Sequence, residues 1–396
     1  MSRFFSEWSA LRRFRSLSAK ERSITFYAEG PADWPHLSPV IEELTGPLGQ
    51  HVLYVTSDHK DPVLKHPREG ITPFCVGTGI FLTAFFQGLK CRLVVMTLPD
   101  LNTFHLKRSF HPVHYVYIFH SINSTHMVYR RGAFDAYDSI LCVGPHHVSE
   151  IRKTEQVYGL KPKRLVEHGY GRLDTILKRV QSLPPFRPSE GPSKRVVMAP
   201  SWGVGSSIEQ PYGLDLVMLL LAAGHQTTLR LHPMTVRHRP DLVRQIRQRF
   251  EGDGMFRLEL DMKAQDSLQQ ADVMISDWSG AATEFAFGLE RPVVYIDTPR
   301  KINNPEYAKI QAPPLEDHIR REIGQVVPPD NLQETLTAIQ QLCSDPGAYR
   351  HALRQARDRW IFNVGSSGRA GALCIAETLE EIQRQRAARS AARGQS

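Results

Sequence analysis

The chain of 396 residues has little cysteine and no long apolar run. Its five cysteines lie far apart, and no two of them form a Cys-x-x-Cys pair. This spacing argues against a disulfide framework or a thiolate zinc site and favours a reducing compartment. The most apolar stretch, residues 214–223, contains Asp215 and is far shorter than the roughly 20 residues of a membrane-spanning helix. The basic N-terminus lacks the apolar core and cleavage site of a signal peptide, so we expect a cytoplasmic protein.

The body of the chain also lacks excess charge. The formal net charge of +8 comes from the two ends. Residues 1–22 contain six basic and two acidic side chains, and residues 384–396 contain four arginines and no acidic residue. Residues 23–383 are therefore balanced, and no basic face for nucleic acid is predicted there. A nucleic-acid-binding protein that uses its basic tails is the third hypothesis, and nucleic acid is not an expected partner.

The composition, 41% hydrophobic and 23% charged, is typical of a globular protein, and the length favours two domains. A segment with four prolines, residues 182–193, is the predicted linker. It separates a first domain at 23–181 from a second domain at 194–365. The other predicted parts are a basic N-terminal segment at 1–22 and a C-terminal helix with a basic tail at 366–396.

Both predicted domains alternate short β-branched runs with helical patterns, which favours parallel sheets covered by helices. Predicted strands lie at 24–27, 51–56, 92–97, 115–119, 139–143, 164–169, 195–200, 227–231, 256–260, 273–276, 293–296 and 324–327. Predicted helices lie at 34–44, 81–89, 147–158, 213–223, 239–250, 280–287 and 332–343. We therefore predict an α/β fold of two doubly wound, Rossmann-like domains that face each other across a cleft. Ligands of such sheets bind beyond the carboxyl ends of the strands.

The most informative motif follows the predicted strand that ends at Ser276. Asp277, Ser279 and Gly280 make a tight turn into an amphipathic helix. Free backbone N–H groups at such a helix start favour an anionic phosphate. The alternative is that Asp277 or Ser279 only caps the helix, and the two interpretations have equal weight from this motif alone.

Two other strand ends of the second domain carry candidate donor-binding residues. One strand delivers His232 to its carboxyl end, where Pro233 stops the ladder, and Arg230 has the strand parity of His232. Another strand is followed by Pro200 and by a loop with Ser201 and Gly203. Glycine lets backbone amides approach a phosphate. The loop does not match a P-loop, however, and taken alone it is better explained as a flexible connection.

In the first domain, His120 ends a central apolar strand and has a side chain suited to accepting a proton near neutral pH. Further histidines lie nearby along the chain, at His105, His111, His114 and His126. Their spacing fits no helical metal motif, so no metal ligand is predicted. Just before the linker, Arg172 and Asp174 follow turn glycines. They form either a structured turn or, for an exposed Arg172, part of the cleft rim.

Taken together and in order, these segments resemble the CDP-glycerol glycerophosphotransferase family of teichoic-acid and capsule polymerases, which has the GT-B architecture. The segments that carry the resemblance are His120-Ser121, Gly169-Tyr-Gly-Arg-Leu-Asp174, Ala199-Pro-Ser-Trp202, Arg230-Leu-His-Pro233 and Ser276-Asp-Trp-Ser-Gly280 with Glu284-Phe285. The chain departs from the family pattern where Ser121 replaces glycine, Gly280 replaces serine, Glu284 replaces aspartate and Gly171 replaces proline.

The resemblance implies that His120 activates an acceptor hydroxyl, while His232, Asp277 and Ser279 surround the pyrophosphate of the donor. It also places the loop after Pro200 near the nucleotide. The implied reaction is attack of a polyol, sugar or lipid-linked hydroxyl on the β-phosphorus of a CDP-alcohol, with CMP as the leaving group. Whether a divalent cation such as Mg²⁺ is needed as a cofactor stays open at this point.

Two further questions also stay open. A GT-B sugar transferase with a UDP-sugar or CMP-sugar donor is the alternative to the CDP-alcohol enzyme, because both would use the same cleft. The N-terminal segment interleaves Phe4, Phe5 and Trp8 with arginines. This pattern suits a peripheral protein on the anionic inner face of the cell membrane, and a basic terminus without a partner explains it equally.

Overall fold

Continuous apolar runs form the strands of this protein, because helices cover both faces of each parallel sheet. The computed structural model describes residues 3–66, 68–104, 106–261 and 266–393. The chain divides into two units. The first contains Met1–Thr175, Asn304–Ala312 and Trp360–Ser396, and the second contains Ile176–Asn303 and Pro313–Arg359. Each unit has one parallel sheet with surrounding helices, which confirms the predicted pair of Rossmann-like domains.

Strands and helices alternate along most of the chain. The strands are β1 (Ile24–Ala28), β2 (Val52–Thr56), β3 (Ile71–Cys75), β4 (Leu93–Met96), β5 (His114–Ile118), β6 (Ser139–Cys142), β7 (Arg164–Glu167), β8 (Arg195–Met198), β9 (Gln226–Arg230), β10 (Phe256–Glu259), β11 (Val273–Ser276), β12 (Val293–Ile296) and β13 (Gly324–Val327). The helices are α1 (Arg3–Ser16), α2 (Trp34–Thr45), α3 (Ile80–Gln87), α4 (Thr125–Val128), α5 (Pro145–Tyr158), α6 (Gly171–Gln181), α7 (Gly213–Ala222), α8 (Pro233–His238), α9 (Pro240–Phe250), α10 (Asp266–Gln270), α11 (Gly280–Leu289), α12 (Leu315–Glu322), α13 (Glu334–Leu342), α14 (Pro346–Trp360) and α15 (Ser367–Arg393). Short 3₁₀ turns lie at Pro62–Leu64, Ser207–Glu209 and Tyr307–Ile310.

The two sheets have the same winding. The first has the order β3-β2-β1-β4-β5-β6-β7, and the second has the order β10-β9-β8-β11-β12-β13. In each sheet the order reverses beside the first strand of that unit, between β1 and β4 and between β8 and β11. Ligands of open α/β sheets bind beyond the carboxyl ends of strands at such a switch point. Phe26 and Val95 belong to the core of the first unit, and Val196 and Val273 to that of the second.

Two of the elements that the sequence did not predict, β3 and α6, have recognisable causes. β3 contains Pro73 and lies at the edge of its sheet, where the missing N–H of a proline is tolerated. α6 begins at Gly171, in a segment whose glycines indicate a turn. The predicted linker at 182–193 follows this helix and lies inside the second unit.

The two basic ends of the chain form helices α1 and α15, and both helices belong to the first unit. Ala372, Ile375 and Leu379 of α15 join the core cluster that also contains Leu37 and Ile41 of α2. The C-terminal helix is therefore part of the first unit's core. Within the described ranges, no helix combines the length and the hydropathy needed to cross a bilayer.

Helix α1 packs against the edge of the first unit through one face. Phe14 is 1% exposed and meets the rings of Phe74 and Phe85 at centroid distances of 5.5 and 5.1 Å. The Nη2 atom of Arg13 donates to the carbonyl oxygen of Pro73 at 3.1 Å. The basic N-terminal segment is thus docked on β3 and α3.

We expect Phe14→Ala to lower the free energy of unfolding of the first unit by about 3–5 kcal/mol, because truncating a buried phenylalanine leaves a cavity. Denaturant unfolding of the variant measures the loss. The control is Phe5→Ala on the same helix, whose side chain is 57% exposed and whose loss should cost less than about 0.5 kcal/mol. Equal effects of the two substitutions would contradict the docking of α1.

Candidate functional site

At the switch point of the second sheet, the ends of β8 and β11 carry the loops that the sequence singled out. Asp277 follows β11 and is 1% exposed. Its Oδ1 atom accepts from the N–H groups of Ser201 at 2.8 Å and Trp278 at 2.6 Å, and its Oδ2 atom accepts from the N–H of Ser207 at 2.7 Å. The carboxylate of Asp277 therefore holds both ends of the loop 201–207 by hydrogen bonds. We expect Asp277 to position that loop without touching the donor.

The loop itself is structured. Pro200 and Ser201 are buried, and the N–H of Gly203 donates to Glu209 at 3.1 Å. Gly203 has a φ of +90°, which favours glycine, and no atom lies within 4 Å of the position that a Cβ would take. The interpretation of this segment as a merely flexible connection does not fit these contacts.

Ser279 and Gly280 lie where helix α11 begins. The hydroxyl of Ser279 accepts from the N–H of Ala281 at 3.3 Å, so Ser279 is the N-cap. Gly280 is the first residue of the helix, and Glu284 lies one turn further along it. The capping interpretation is thereby observed, and it is compatible with an anion at the same helix start.

His232 lies between β9 and α8 and is held in one tautomer. Its Nδ1 atom accepts a hydrogen bond from the N–H of Met234 at 3.1 Å. The hydrogen of the neutral ring is therefore on Nε2. Burial, assisted by the charge of Lys301, lowers the pKa of His232 to about 4. At neutral pH this side chain is a neutral hydrogen-bond donor.

Lys301 completes this group, and sequence reasoning missed it. Its Nζ atom lies 4.2 Å from the ring centroid of Trp202, and the same indole stacks on His232 at 6.0 Å. Burial lowers the pKa of Lys301, while the charge of Asp277 opposes that shift. None of the sequence motifs includes this lysine, and only the fold reveals its contact with Trp202.

Arg230 occupies a different environment from the one that its strand parity suggested. It is 4% exposed and forms an ion pair with Glu259, its register partner on β10. A buried pair of this kind leaves the guanidinium little freedom to reach a ligand. We therefore expect Arg230 to stabilise the end of β9, which carries His232, and to make no direct donor contact.

In the first unit, His120 follows β5, and the residue is accessible to solvent while its ring is partly covered by protein. Its Nδ1 atom lies 3.2 Å from the carbonyl oxygen of Thr97. Because a carbonyl only accepts, Nδ1 carries the hydrogen and Nε2 has a free lone pair. The protein around the ring lowers the pKa of His120 by desolvation, and the negative charge of Asp33 partly opposes this. At neutral pH the Nε2 atom is thus ready to accept a proton.

Asp33 and Thr97 support His120, and neither was predicted from the sequence. The Oδ1 atom of Asp33 accepts from the hydroxyl of Thr97 at 2.9 Å, and its Oδ2 atom accepts from the N–H of Glu29 at 2.7 Å. Glu29 and Thr97 directly follow β1 and β4, the two strands at the switch point. The sequence signals that could have identified them are that Thr97 ends a predicted strand and that Asp33 directly precedes a predicted helix.

Arg172 belongs to the surroundings of the same histidine. His36 is buried and its ring centroid lies 6.3 Å from that of His120. Burial, together with the positive charge of Arg172, lowers the pKa of His36 well below its usual value. The hydroxyl of Tyr170 donates to the carbonyl oxygen of His120 at 3.1 Å. Residues 169–174 therefore lie beside His120, the candidate base.

Asp174 has a structural role in that segment. Its carboxylate accepts from the N–H groups of Gly365 at 2.7 Å and Ser367 at 2.8 Å, just where α15 begins. Arg172 and Asp174, which the sequence placed in a turn, lie in helix α6. The carboxylate of Asp174 accepts hydrogen bonds from the start of α15. Gly169 has a φ of +101°, and a Cβ there would lie 2.3 Å from the carbonyl oxygen of Phe362.

Two of the other histidines that the sequence singled out, His114 and His126, have separate partners. The Nε2 atom of His114 bonds the hydroxyl of Ser139 at 2.8 Å, and the Nε2 atom of His126 lies 3.0 Å from the carbonyl oxygen of Ala312. His105 lies outside the described residues. In the ranges that the structure covers, no group of three or more His, Cys, Asp or Glu side chains has a metal-binding arrangement.

Comparison with protein families decides the identity. Residues 123–360 match the family model described as CDP-Glycerol:Poly(glycerophosphate) glycerophosphotransferase. The chain belongs to this family. The suspected resemblance is therefore confirmed, and the protein is an enzyme of the glycerophosphotransferase type. The matched range includes the predicted donor-site residues and begins three residues after His120. Among curated proteins, no sequence is significantly similar to this chain.

Solved structures share the fold of this glycerophosphotransferase family member at low sequence identity. One is a Listeria monocytogenes protein assigned provisionally as a UDP-N-acetylglucosamine 2-epimerase, with 11% identity, a TM-score of 0.58, and 92% of this chain and 97% of that chain covered. Another is the Methanocaldococcus jannaschii UDP-GlcNAc 2-epimerase in complex with UDP-GlcNAc and UDP, with 12% identity, a TM-score of 0.53, and coverage of 89% and 98%. A third is a glycosyltransferase from Rickettsia africae ESF-5, with 11% identity, a TM-score of 0.51, and coverage of 91% and 98%. These likenesses confirm the GT-B type of fold.

We expect Asp33→Asn to move the acidic limb of the pH profile of kcat/KM to lower pH. The carboxylate raises the pKa of His120, so its loss lowers that pKa further, and the weaker base should also reduce kcat. Histidine ¹⁵N NMR titration reads the pKa and the tautomer without any substrate.

The matched control is Glu42→Gln, which removes one exposed charge from α2, the helix that Asp33 directly precedes. It should leave the titration of His120 unchanged. If Asp33→Asn also left both the titration and the tautomer of His120 unchanged, the assignment of Asp33 as a positioning residue would fail.

Proposed function

We propose that this enzyme transfers glycerol phosphate, or a related polyol phosphate, from a CDP-alcohol to a hydroxyl acceptor during synthesis of a teichoic-acid-like or capsule-like surface polymer. CMP is the second product. The observation that carries the proposal is the opposite tautomers of two histidines at strand ends. His120 offers a lone pair on Nε2, whereas His232 offers a hydrogen on Nε2.

In the proposed reaction, His120 is the general base. Its Nε2 atom takes the proton of the acceptor hydroxyl as the hydroxyl oxygen attacks the β-phosphorus of the donor. The bond from the β-phosphorus to the oxygen that bridges to the α-phosphate breaks, and that oxygen leaves with CMP. The lowered pKa of His120 keeps the ring neutral near pH 7, which this role requires.

The second unit supplies the donor site in this proposal. Negative charge grows on phosphoryl oxygens during the transfer, so fixed hydrogen-bond donors stabilise the transition state. The Nε2–H of His232 and the charge of Lys301 are two such groups, and the start of α11 at Gly280 is a third. Trp202, exposed by 38% beside both side chains, offers a face for the planar base or ribose.

A sugar transferase with a UDP-sugar or CMP-sugar donor is the second candidate. Its support is the fold shared with a UDP-GlcNAc 2-epimerase in complex with UDP and with a glycosyltransferase. The family membership favours the CDP-alcohol donor over this alternative.

Purified protein should be offered CDP-glycerol, CDP-ribitol, UDP-sugars and CMP-sugars with hydroxyl acceptors, and the released nucleotide identified. We expect CMP from a CDP-alcohol. His120→Ala should lower kcat by about 10²–10⁴-fold as the loss of a base, and His232→Ala by about 10²–10³-fold as the loss of an oriented donor.

His238→Ala, which removes an exposed histidine of α8, is the control and should retain activity. Turnover of a nucleotide sugar together with no turnover of any CDP-alcohol would replace the leading proposal by the second candidate. Full activity of both His120→Ala and His232→Ala would refute the assigned site for either donor.

We also propose that the first unit docks on an anionic membrane through α1 and α3. The outer face of α1 carries Phe5 and Trp8, which are 57% and 44% exposed, with Arg12 stacked 4.7 Å from the Trp8 ring. Phe4 contacts Phe81 at 4.9 Å and extends this face to Ile80 of α3, which is 80% exposed. Exposed aromatic groups next to arginine suit the interface of an anionic bilayer.

Removing these side chains tests the docking better than truncation, because deletion of α1 would also remove Phe14 from the core. We expect the double variant Phe5→Ser with Trp8→Ser to bind phosphatidylglycerol vesicles about tenfold more weakly or worse. Sedimentation with vesicles measures the binding. Met255→Ser, which changes a 37% exposed side chain of the second unit, should bind like the unchanged protein. Equal binding of all three proteins would eliminate this surface as the docking site.

A further inference from the structure

The second unit contains a cavity of about 130 Å³ that the proposed reaction does not use. It lies at the amino edge of the sheet, because Lys194, Asp272 and Pro292 in its wall directly precede β8, β11 and β12. In a parallel sheet this edge is opposite the strand ends that carry His232 and Asp277. An apolar protein cavity of roughly 150 Å³ can bind benzene, so this cavity has room for a single ring.

The wall of the cavity is mostly apolar and aromatic. Phe186, Pro188, Leu342, Pro346 and Tyr349 form much of it. A few polar groups converge among them, which is the composition of a small-molecule site.

Arg291 is the polar side chain that distinguishes this cavity. It is 7% exposed, and its Nη1 atom donates to the carbonyl oxygens of Ala271 at 2.6 Å and Leu268 at 3.1 Å. These two bonds satisfy the end of helix α10. Among the described residues, however, the Nε atom has no hydrogen-bond partner, and no carboxylate lies within ion-pair distance of Arg291. Burial lowers the pKa of Arg291 to about 9, and the charge of Asp272 opposes this shift only in part.

The two carboxylates of the wall are already paired with other residues. Asp272 accepts from the Nη2 atom of Arg195 at 3.0 Å and from the hydroxyl of Ser189 at 2.6 Å. Glu290 pairs with Arg354 at 2.8 Å and Arg357 at 3.2 Å. The charges of Asp272 and Glu290 are therefore compensated without Arg291.

Positive charge is in excess around this cavity. Six cations line it or pair with its two carboxylates, namely Lys194, Arg195, Arg291, Arg350, Arg354 and Arg357. An arginine pairs with phosphate and carboxylate groups through charge-assisted hydrogen bonds, and the desolvated surroundings of Arg291 strengthen such a bond.

We propose that this cavity binds a small organic anion, whose phosphate or carboxylate group pairs with Arg291 and whose apolar part packs against Phe186 and Tyr349. The Phe186 ring already lies 3.3 Å from the Cζ atom of Arg291, so the guanidinium is held in place. The site is distinct from the donor site. Helix α11 begins beside the donor site and ends beside Arg291, and its 10 residues extend over about 15 Å.

Phenyl phosphate and benzoate are suitable probes, because they share a phenyl ring and differ in the anion. Isothermal titration gives the affinity of each for the full-length protein. Alkylation of Cys343, followed by mass spectrometry, reports on the site itself. Cys343 lines the cavity and is partly exposed, whereas the other four cysteines are buried.

We expect saturable binding of at least one probe, protection of Cys343 from alkylation, and binding about tenfold weaker or worse in Arg291→Met. Arg257→Met, which removes an exposed arginine of β10, should bind like the unchanged protein. The preferred probe distinguishes a phosphate from a carboxylate ligand.

Circular dichroism verifies the fold of each variant, and Arg350→Met at the cavity wall replaces Arg291→Met if the latter does not fold. Binding that persists in Arg291→Met and leaves Cys343 unprotected would assign the probe to the donor site and overturn the proposal. Absence of saturable binding of both probes would overturn it as well.

Discussion

The carboxylate of Asp277 organises the proposed donor site. A buried ionised carboxylate is costly unless hydrogen bonds compensate it, and here three backbone N–H groups do so. Those bonds fix the loop after β8, which presents Trp202. The next residue, Trp278, donates from Nε1 to the carbonyl oxygen of Thr298 at 2.8 Å. This bond holds the segment that leads to Lys301. The turn that contains Asp277 and Trp278 therefore helps to position Trp202 and Lys301, the two side chains beside His232.

Two histidines of the same protein receive different chemistry from their backbone partners. His120 faces a carbonyl and keeps its hydrogen on Nδ1, whereas His232 faces an N–H group and keeps its hydrogen on Nε2. Desolvation lowers the pKa of both rings, so neither has to lose a proton before it acts near pH 7. The division into a proton acceptor and a hydrogen-bond donor thus follows from local backbone geometry.

Much of the fold could be predicted because buried strands in a parallel sheet leave a strong signal in the sequence. β11 and β12 were predicted with the bounds that the structure has, and the motifs at Asp277 and His232 were found because they follow such strands. Contacts between distant segments leave no such signal. Lys301 reaches Trp202 only through the fold, and Asp33 reaches His120 only through Thr97. Arg230 shows the same limit, since strand parity indicates a face of the sheet and cannot identify Glu259 as the partner.

The position of α15 in the first unit has a consequence for synthesis of the chain. Leu37 and Ile41 of α2 are fully buried in a cluster that includes Ile375 and Leu379. While the ribosome translates the second unit, those two side chains can already meet Ile24 and Phe26 but still lack the α15 residues of the cluster. Nearly the whole second unit emerges before the last helix does. The N-terminal half of the polypeptide therefore completes its core last, so its exposure time is set by the rate of translation.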